Sequence, residues 1–199
     1  MRLELFNFRH AAEILELRAG WRELHDAARA IERQDIIDTQ LRFEAEGKRV
    51  PAGGQSALNR LFRERLDSGR WKPEPRLFTS GENDLRRWKM DFLNARIGVE
   101  VSFNHAEAIP WTFTRLNLAG ESDRVLPENK IDVGVAFFAR ESLKRWSRMD
   151  SAVGTYEVAC AWLSMMRPIM PIPVLVVGLD AEGWAPTDEF RGTGTGNRS

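Results

Sequence analysis

The sequence has little of the chemistry that marks secreted, membrane-spanning or uniformly basic proteins. Its one cysteine, Cys160, cannot form an intramolecular disulfide and fits a reducing cytoplasm. No apolar run approaches the length that crosses a bilayer, and the first ten residues lack the apolar segment of a secretory signal. Basic and acidic residues number 29 each, and this balance argues against a protein that coats DNA by bulk charge. We therefore expect a cytoplasmic protein that needs no membrane.

What the chain does have is enough material for one well-buried domain. Of its 199 residues, 43% are apolar, as in ordinary globular proteins. We predict a single domain over residues 1–190 and a flexible C-terminal tail over residues 191–199, which has nothing to bury. Basic residues are concentrated in four short segments, at 60–65, 69–72, 86–89 and 143–148. Each segment is either a solvated face or a contact for phosphate groups.

Apolar periodicity predicts helices early and late in the chain, around a central group of strands. The predicted helices cover 10–33, about 55–69, 140–148 and 154–166, and the predicted strands cover 3–8, 86–95, 97–104, 130–139 and 172–179. The last strand is apolar throughout, as expected in the middle of a sheet that is covered on both faces. This order predicts an α/β fold in which a central mixed β-sheet is flanked by helices on both faces.

Two acidic residues interrupt the strands predicted at 86–95 and 97–104. If these strands form a hairpin, alternation places Asp91 and Glu100 on one face, opposite the apolar residues of each strand. Adjacent carboxylates raise each other's pKa unless a cation lies between them. Such oxygen ligands suit Mg²⁺, which can activate water for attack on a phosphodiester. Solvated acids on an outer strand face show the same pattern, so periodicity leaves both interpretations open.

Several stretches, in order, carry a resemblance to a known family. They are FRHAAEIL, PAGGQSALNRLFRERLDSGRWK, MDFLNARIGVEVSFN, TYEVACAWL and IPVLVVGL. The third has an aspartate, an eight-residue gap and a Val-Glu-Val strand start, which resemble the active-site pattern of the PD-(D/E)xK nucleases. The ordered series resembles the BglII-type restriction endonucleases over most of residues 8–179.

The resemblance implies a type II restriction endonuclease. Such enzymes are homodimers that need Mg²⁺ and cut both strands of double-stranded DNA at a short palindrome, which in known relatives has a GATC centre and yields 5′ overhangs. By position, Asp91 and Glu100 match the metal-binding carboxylates. Ser102 falls on the third motif position, where relatives carry lysine, glutamine or glutamate; its hydroxyl can orient the attacking water but cannot easily take a proton. Glu74 falls near a fourth active-site position, and its alternative is a solvated loop carboxylate.

The resemblance also implies which side chains contact DNA. Asn104 and His105 follow the second acidic strand, where the family directs side chains to base edges. Arg115 matches a DNA-contacting arginine, and Ser151 falls at another recognition position. Asparagine and arginine suit base reading because their paired donors and acceptors match base edges in the major groove. For each of these four residues, a place in a surface loop without contact to DNA remains the alternative.

Two other functions stay open at this point. One is a catalytically inactive DNA-binding relative, with Ser102 as the trace of lost activity. The other is a Mg²⁺-dependent nuclease that acts in repair or on structured DNA without sequence preference.

Overall fold

The computed structural model describes residues 1–47, 53–67, 69–78, 88–188 and 190, and the tail predicted at 191–199 lies outside them. The helices and strands, in chain order, are β1 (Arg2–Phe8), α1 (Ala11–Glu16), α2 (Ala19–Arg29), α3 (Arg33–Ala45), α4 (Gln55–Leu66), β2 (Lys72–Pro73), β3 (Phe92–Asn94), β4 (Ile97–Val101), α5 (Ile109–Glu121), β5 (Val133–Ala139), α6 (Glu141–Trp146), α7 (Tyr156–Met165) and β6 (Val174–Asp180). Short 3-10 turns cover Ala106–Ala108 and Pro127–Asn129. Within the described ranges, no helix has the length and apolarity of a membrane span.

The six strands form one mixed sheet in the order β1-β6-β5-β4-β3-β2. Three central strands, β4, β5 and β6, run parallel to one another. The strands at both edges are antiparallel to their neighbours, β1 to β6 on one side and β3 and β2 beyond β4 on the other. The predicted central mixed sheet is therefore confirmed.

Helices cover both faces of the sheet, as predicted. Along β5, Val135 and Phe137 point into a core that contains residues of α1 to α4 and α6. Ala136 and Phe138 point into the opposite core, where α5 and α7 pack. Side chains of successive strand residues alternate between faces, so a continuously apolar strand supplies both cores.

The structure divides the long helix predicted over 10–33. Arg18 has an extended backbone between α1 and α2. Its guanidinium donates to Asp132 Oδ2 at 2.8 Å and to the carbonyl of Ala95 at 2.9 Å, which ties this break to the sheet. The sequence prediction also missed α3 and α5. Pro110 stands in the first turn of α5, where a missing N–H costs no helical hydrogen bond.

The predicted hairpin is present but shorter than expected. Its turn lies at Ala95 and Arg96, both with positive φ, as a two-residue hairpin turn requires. The ladder begins only at Phe92. Alternation predicted that the apolar residues of the first of these strands share the side opposite Asp91, but Met90 and Phe92 belong to opposite cores, so this part of the prediction is wrong. Regular alternation fails there because the residues before Phe92 are not part of the β3 ladder.

Candidate active site

Three acidic residues lie at the same end of three adjacent strands. Phe92 pairs with Pro73 on one side and with Val99 on the other. The next positions along the strands are Glu74, Asp91 and Glu100. The backbone N–H of Glu74 donates to the carbonyl of Asp91 at 2.9 Å, which extends this alignment by one residue. The carboxylates that the sequence singled out therefore converge at one place on the sheet.

Glu100 is the most enclosed of the three, with 2% of its surface exposed. Arg115 of α5 holds it with two hydrogen bonds, Nε to Oε1 at 2.9 Å and Nη2 to Oε2 at 2.5 Å. Burial raises the pKa of Glu100 to about 7; the hydrogen bonds from Arg115 oppose this shift, and the charge of Asp91 adds to it. The effect of burial on the pKa of this carboxyl therefore outweighs that of the one arginine that holds it.

Asp91 is partly buried beside Glu100. Its Oδ2 accepts a hydrogen bond from the backbone N–H of Val101 at 2.7 Å. Burial raises the pKa of Asp91 despite this hydrogen bond and the nearby charge of Arg115, both of which lower it. The carboxylate is thus anchored at the end of β4 and faces the same positive group as Glu100.

Glu74 differs from the other two because half of its side chain is exposed. Lys89 Nζ lies 2.9 Å from one of its oxygens and Arg63 Nη2 lies 3.2 Å from the other. The hydrogen bond and charge of Lys89, with a smaller contribution from Arg63, lower the pKa of Glu74. Glu74 is therefore an ionised group at the rim of the site.

A cavity of about 220 Å³ opens beside these acids. Its lining includes Arg63, Glu74, Asp91, Val101, Asn104 and Arg115. The floor is built by strand ends and one wall by α4, which carries Arg63. The sequence marks Arg63 only as part of the basic segment 60–65, because the packing of α4 against the strands is what brings it here.

The two buried acids fit a hard divalent cation by their donor chemistry. Their oxygens already face one shared positive group, the guanidinium of Arg115. Among the described residues, no group of three or more histidine, cysteine, aspartate or glutamate side chains is arranged to hold a metal. By its donor chemistry, a site formed by the two carboxylates of Asp91 and Glu100 would suit a hard cation such as Mg²⁺, which binds through one or two carboxylates and keeps several waters.

Ser102, the residue at the third motif position, lies away from the cavity lining. It is 3% exposed, and its hydroxyl accepts a hydrogen bond of 3.3 Å from Thr112 of α5. Its N–H donates to the carbonyl of Phe137 in β5. Ser102 thus connects β4 with the helix that carries Arg115, and its hydroxyl faces that helix.

A second, wider concavity of about 570 Å³ adjoins the first. Asn104 lines both, and His105 lines the second. The loop that contains Ser151 is joined to these residues, because the N–H of Gly154 donates to Asn104 and Lys144 donates to the carbonyl of Ser151. The structure therefore brings Asn104, His105 and Ser151 together as exposed residues, whereas Arg115 lies between the acids and the cavity.

Sequence reasoning missed other residues of the second concavity. Trp111, which is 58% exposed, stands on its wall, together with Gln55 and Asp150. The helical period of α5 could have revealed Trp111 as an outward residue. No local signal marks Gln55, because its place depends on how α4 begins against the 147–149 segment.

Most of the basic residues in the predicted segments have acidic partners. On α4, Arg60 pairs with Glu46 and Glu64, and Arg65 pairs with Asp35. Residues 86 and 87 of another segment lie outside the described part of the chain. Where the structure describes these segments, most of their basic side chains therefore belong to ion pairs.

The fold and the sequence agree on one family of known proteins. The family model described as restriction endonuclease BglII/BglIII matches residues 3–179. Among solved structures, the chain is similar to restriction endonuclease BglII complexed with a DNA 16-mer, at 16% identity and a TM-score of 0.66, covering 93% of this chain and 79% of that one. It is also similar to free BglII, at 17% identity and a TM-score of 0.57, covering 90% and 79%. A comparison with curated proteins gave no match. The chain belongs to the BglII/BglIII family of restriction endonucleases and is a site-specific deoxyribonuclease of type II.

Proposed function

We propose that this endonuclease depends on Mg²⁺ and acts as a homodimer that hydrolyses both strands of duplex DNA at a short palindrome. The observation that supports the metal is the meeting of Asp91 and Glu100 around one cationic position beside an open cavity. A chain with one cysteine needs no disulfide, and we place its action in the cytoplasm.

Asp91 and Glu100 would hold the ion. When bound, Mg²⁺ supplies an acidified water and stabilises negative charge on the phosphate. Glu74 at the cavity rim would hold a water or a further ligand position, and Lys89 and Arg63 keep it ionised. Ser102 would act indirectly, because its hydrogen bond with Thr112 holds α5, and with it Arg115, against β4.

DNA would lie across both concavities. One of the similar structures is a BglII complex with a DNA 16-mer, and the cavity of the acids here continues into the one lined by Asn104 and His105. We assign base reading to Asn104, His105 and Ser151, where the paired donor and acceptor of Asn104 suit adenine. We also propose that the palindrome has a GATC centre and that cleavage leaves 5′ overhangs. Arg115 would reach DNA only after leaving Glu100.

The dimer would form through the outer face of α7. Val158, Trp162 and Met165, together with Ile169 just beyond the helix, expose 38–66% of their surfaces. A contiguous apolar patch on a soluble protein marks an interaction surface, and a two-fold dimer matches a palindrome. Met165→Glu should convert the dimer to a monomer in analytical ultracentrifugation, whereas a wild-type protein that sediments as a monomer would contradict this assignment.

Digestion of a DNA of known sequence, followed by sequencing of the ends, tests the proposed activity. We expect discrete fragments with Mg²⁺ and none with a chelator. Retention of DNA without cutting would instead identify an inactive DNA-binding relative. Nicking without sequence preference would identify a nuclease for repair or structured DNA.

A further inference from the structure

One side chain occupies both carboxylate oxygens of the most buried acid in the site. The two hydrogen bonds from Arg115 to Glu100, at 2.9 and 2.5 Å, form a fork that matches the planar carboxylate. Glu100 is 2% exposed, so little water separates the two charges or screens them from a third. A divalent cation that binds Glu100 meets the positive guanidinium at the same oxygens, and the two repel strongly where water is excluded.

The other positive groups at the site would repel a bound cation less, because they do not hold a buried carboxylate. Glu74 is half exposed, and its partners Arg63 and Lys89 are 70% and 41% exposed. Water screens such surface pairs, which contribute little and separate readily. Asp91 is held by the N–H of Val101, which carries no net charge. Only Arg115, among the described residues that line this cavity, directly holds a buried carboxylate with a full charge.

Arg115 is placed so that it can leave Glu100 without movement of the main chain. It extends from α5, whose Phe113 and Leu116 are fully buried, so the helix is fixed. The side chain itself is 27% exposed and lines the cavity. A rotation about its side-chain bonds directs the guanidinium toward whatever enters that cavity, and a phosphate or a base edge offers it a two-pronged acceptor.

We propose that Arg115 competes with the metal ion for Glu100, and that duplex DNA ends this competition by accepting the guanidinium. The inference rests on the proposed Mg²⁺-dependent function and adds that metal binding and DNA binding are coupled. Metal binds weakly to the protein alone and more tightly to the protein on DNA. Because coupling between two ligands is reciprocal, metal strengthens DNA binding by the same factor.

Calorimetric titration with Ca²⁺ alone, at a mildly alkaline pH that keeps the carboxylates ionised, tests the competition. Ca²⁺ takes the same hard oxygen ligands as Mg²⁺. We expect Arg115→Gln to bind Ca²⁺ at least about tenfold more tightly than wild type, within the usual range of coupling between sites. The matched control is Arg96→Gln, which removes the 2.6 Å ion pair with Asp132 at the other end of β4. This variant should bind Ca²⁺ as wild type does.

The outcomes separate this inference from the proposed function. If Arg115→Gln binds Ca²⁺ no better than wild type, while Glu100→Gln weakens binding, the metal site stands and the competition is refuted. If Glu100→Gln changes neither Ca²⁺ binding nor DNA cleavage, the proposed metal site itself fails. An increase in affinity on loss of Arg115 is not a result that a merely structural arginine would give.

A second measurement uses the wild-type protein, in case Arg115→Gln does not fold. The Nε–H resonance of Arg115, assigned with Arg115→Lys, reports its hydrogen bond to Glu100 by NMR. We expect this resonance to shift when Ca²⁺ and duplex DNA are added together. A resonance that stays unchanged while both ligands bind would overturn the proposal.

Discussion

Two buried carboxylates stand at the same end of two parallel strands, and they behave in opposite ways. Asp180, the last residue of β6, is 1% exposed, and Glu100 near the end of β4 is 2% exposed. Burial raises the pKa of each, yet the pKa of Asp180 ends below its usual value of 3.8, whereas that of Glu100 rises to about 7. Burial alone therefore does not distinguish a structural acid from a functional one.

The difference lies in the neighbours of each carboxylate. Asp180 accepts hydrogen bonds from Ser142 at 2.5 Å and from the N–H of Glu182 at 2.9 Å, and Arg140 and Arg2 add positive charge. Glu100 has one arginine partner, Arg115, which lowers its pKa, whereas the negative charge of the neighbouring Asp91 raises it. The protein supplies Asp180 with hydrogen bonds and positive charge that keep it ionised. Glu100 instead shares one arginine, Arg115, with Asp91, and that arginine lines the cavity. A carboxylate that the protein neutralises only in part, and that lies beside a cavity, is able to bind a ligand.

The largest expected effect is on catalysis. Asp91→Asn or Glu100→Gln should reduce single-turnover DNA cleavage by roughly a thousandfold or more, because a lost metal removes several kcal/mol of transition-state stabilisation. Circular dichroism should show an intact fold. Asp180→Asn, the matched change of a buried strand-end acid, should leave metal-dependent cleavage in place. Cleavage that survives both active-site changes would remove the distinction between the two acids.

A second expected effect is on stability, where the change at Asp180 should cost more than the change at Glu100. Asp180→Ala should lower the free energy of unfolding by about 3 kcal/mol, because it leaves the Ser142 hydroxyl and the N–H of Glu182 without their buried acceptor. Glu100→Gln should cost less, since the amide oxygen still accepts one hydrogen bond from Arg115 and the guanidinium, which lines the cavity, can reach water. Urea denaturation of both variants measures the difference. An equal loss from the two changes would show that Glu100 is a structural acid as well.

The proximity of the two acids could be predicted from the sequence, whereas the groups that contact them could not, and the reason is physical. The short hairpin connection brings Asp91 and Glu100 together, because Phe92 pairs with Val99 and Asp91 and Glu100 are the next positions, and this connection is a local property. The attachment of Arg115 to Glu100 depends on α5, which was not predicted as a helix, and on its packing against the sheet. The burial of Ser102 depends on the same contact, through Thr112. Long-range packing of this kind leaves no periodic signal in the chain.

A third expected effect separates the two acids by pH. Because the pKa of Glu100 is raised to about 7, its protonated fraction grows as pH falls through that value, and Ca²⁺ affinity should fall by up to about tenfold per pH unit below it, which is the limit for competition with one proton. The pKa of Asp180 is lowered from 3.8, so its contribution to stability is present above that pH and is lost only as pH falls below it. Calorimetric titrations and urea denaturation across this range measure the two effects. Metal affinity that is constant from neutral to mildly acidic pH would contradict the assignment of Glu100.

The smallest expected effect concerns Ser102 and tests how the motif works in this chain. Its hydroxyl accepts from Thr112 rather than facing the cavity, so Ser102→Ala removes one buried hydrogen bond and should cost about 1 kcal/mol of stability. Cleavage should fall by about tenfold, at the lower end of the range for residues that support a metal site, because the positioning of α5 and Arg115 is loosened while both metal-binding acids remain. Thr112→Val, which removes this hydrogen bond and the one from Thr112 to the carbonyl of Ala108, is the control and should cost at least as much stability with a similar effect on cleavage. If Ser102→Ala abolishes cleavage and Thr112→Val does not, the serine acts directly on the attacking water, and its hydroxyl must turn toward the cavity during the reaction.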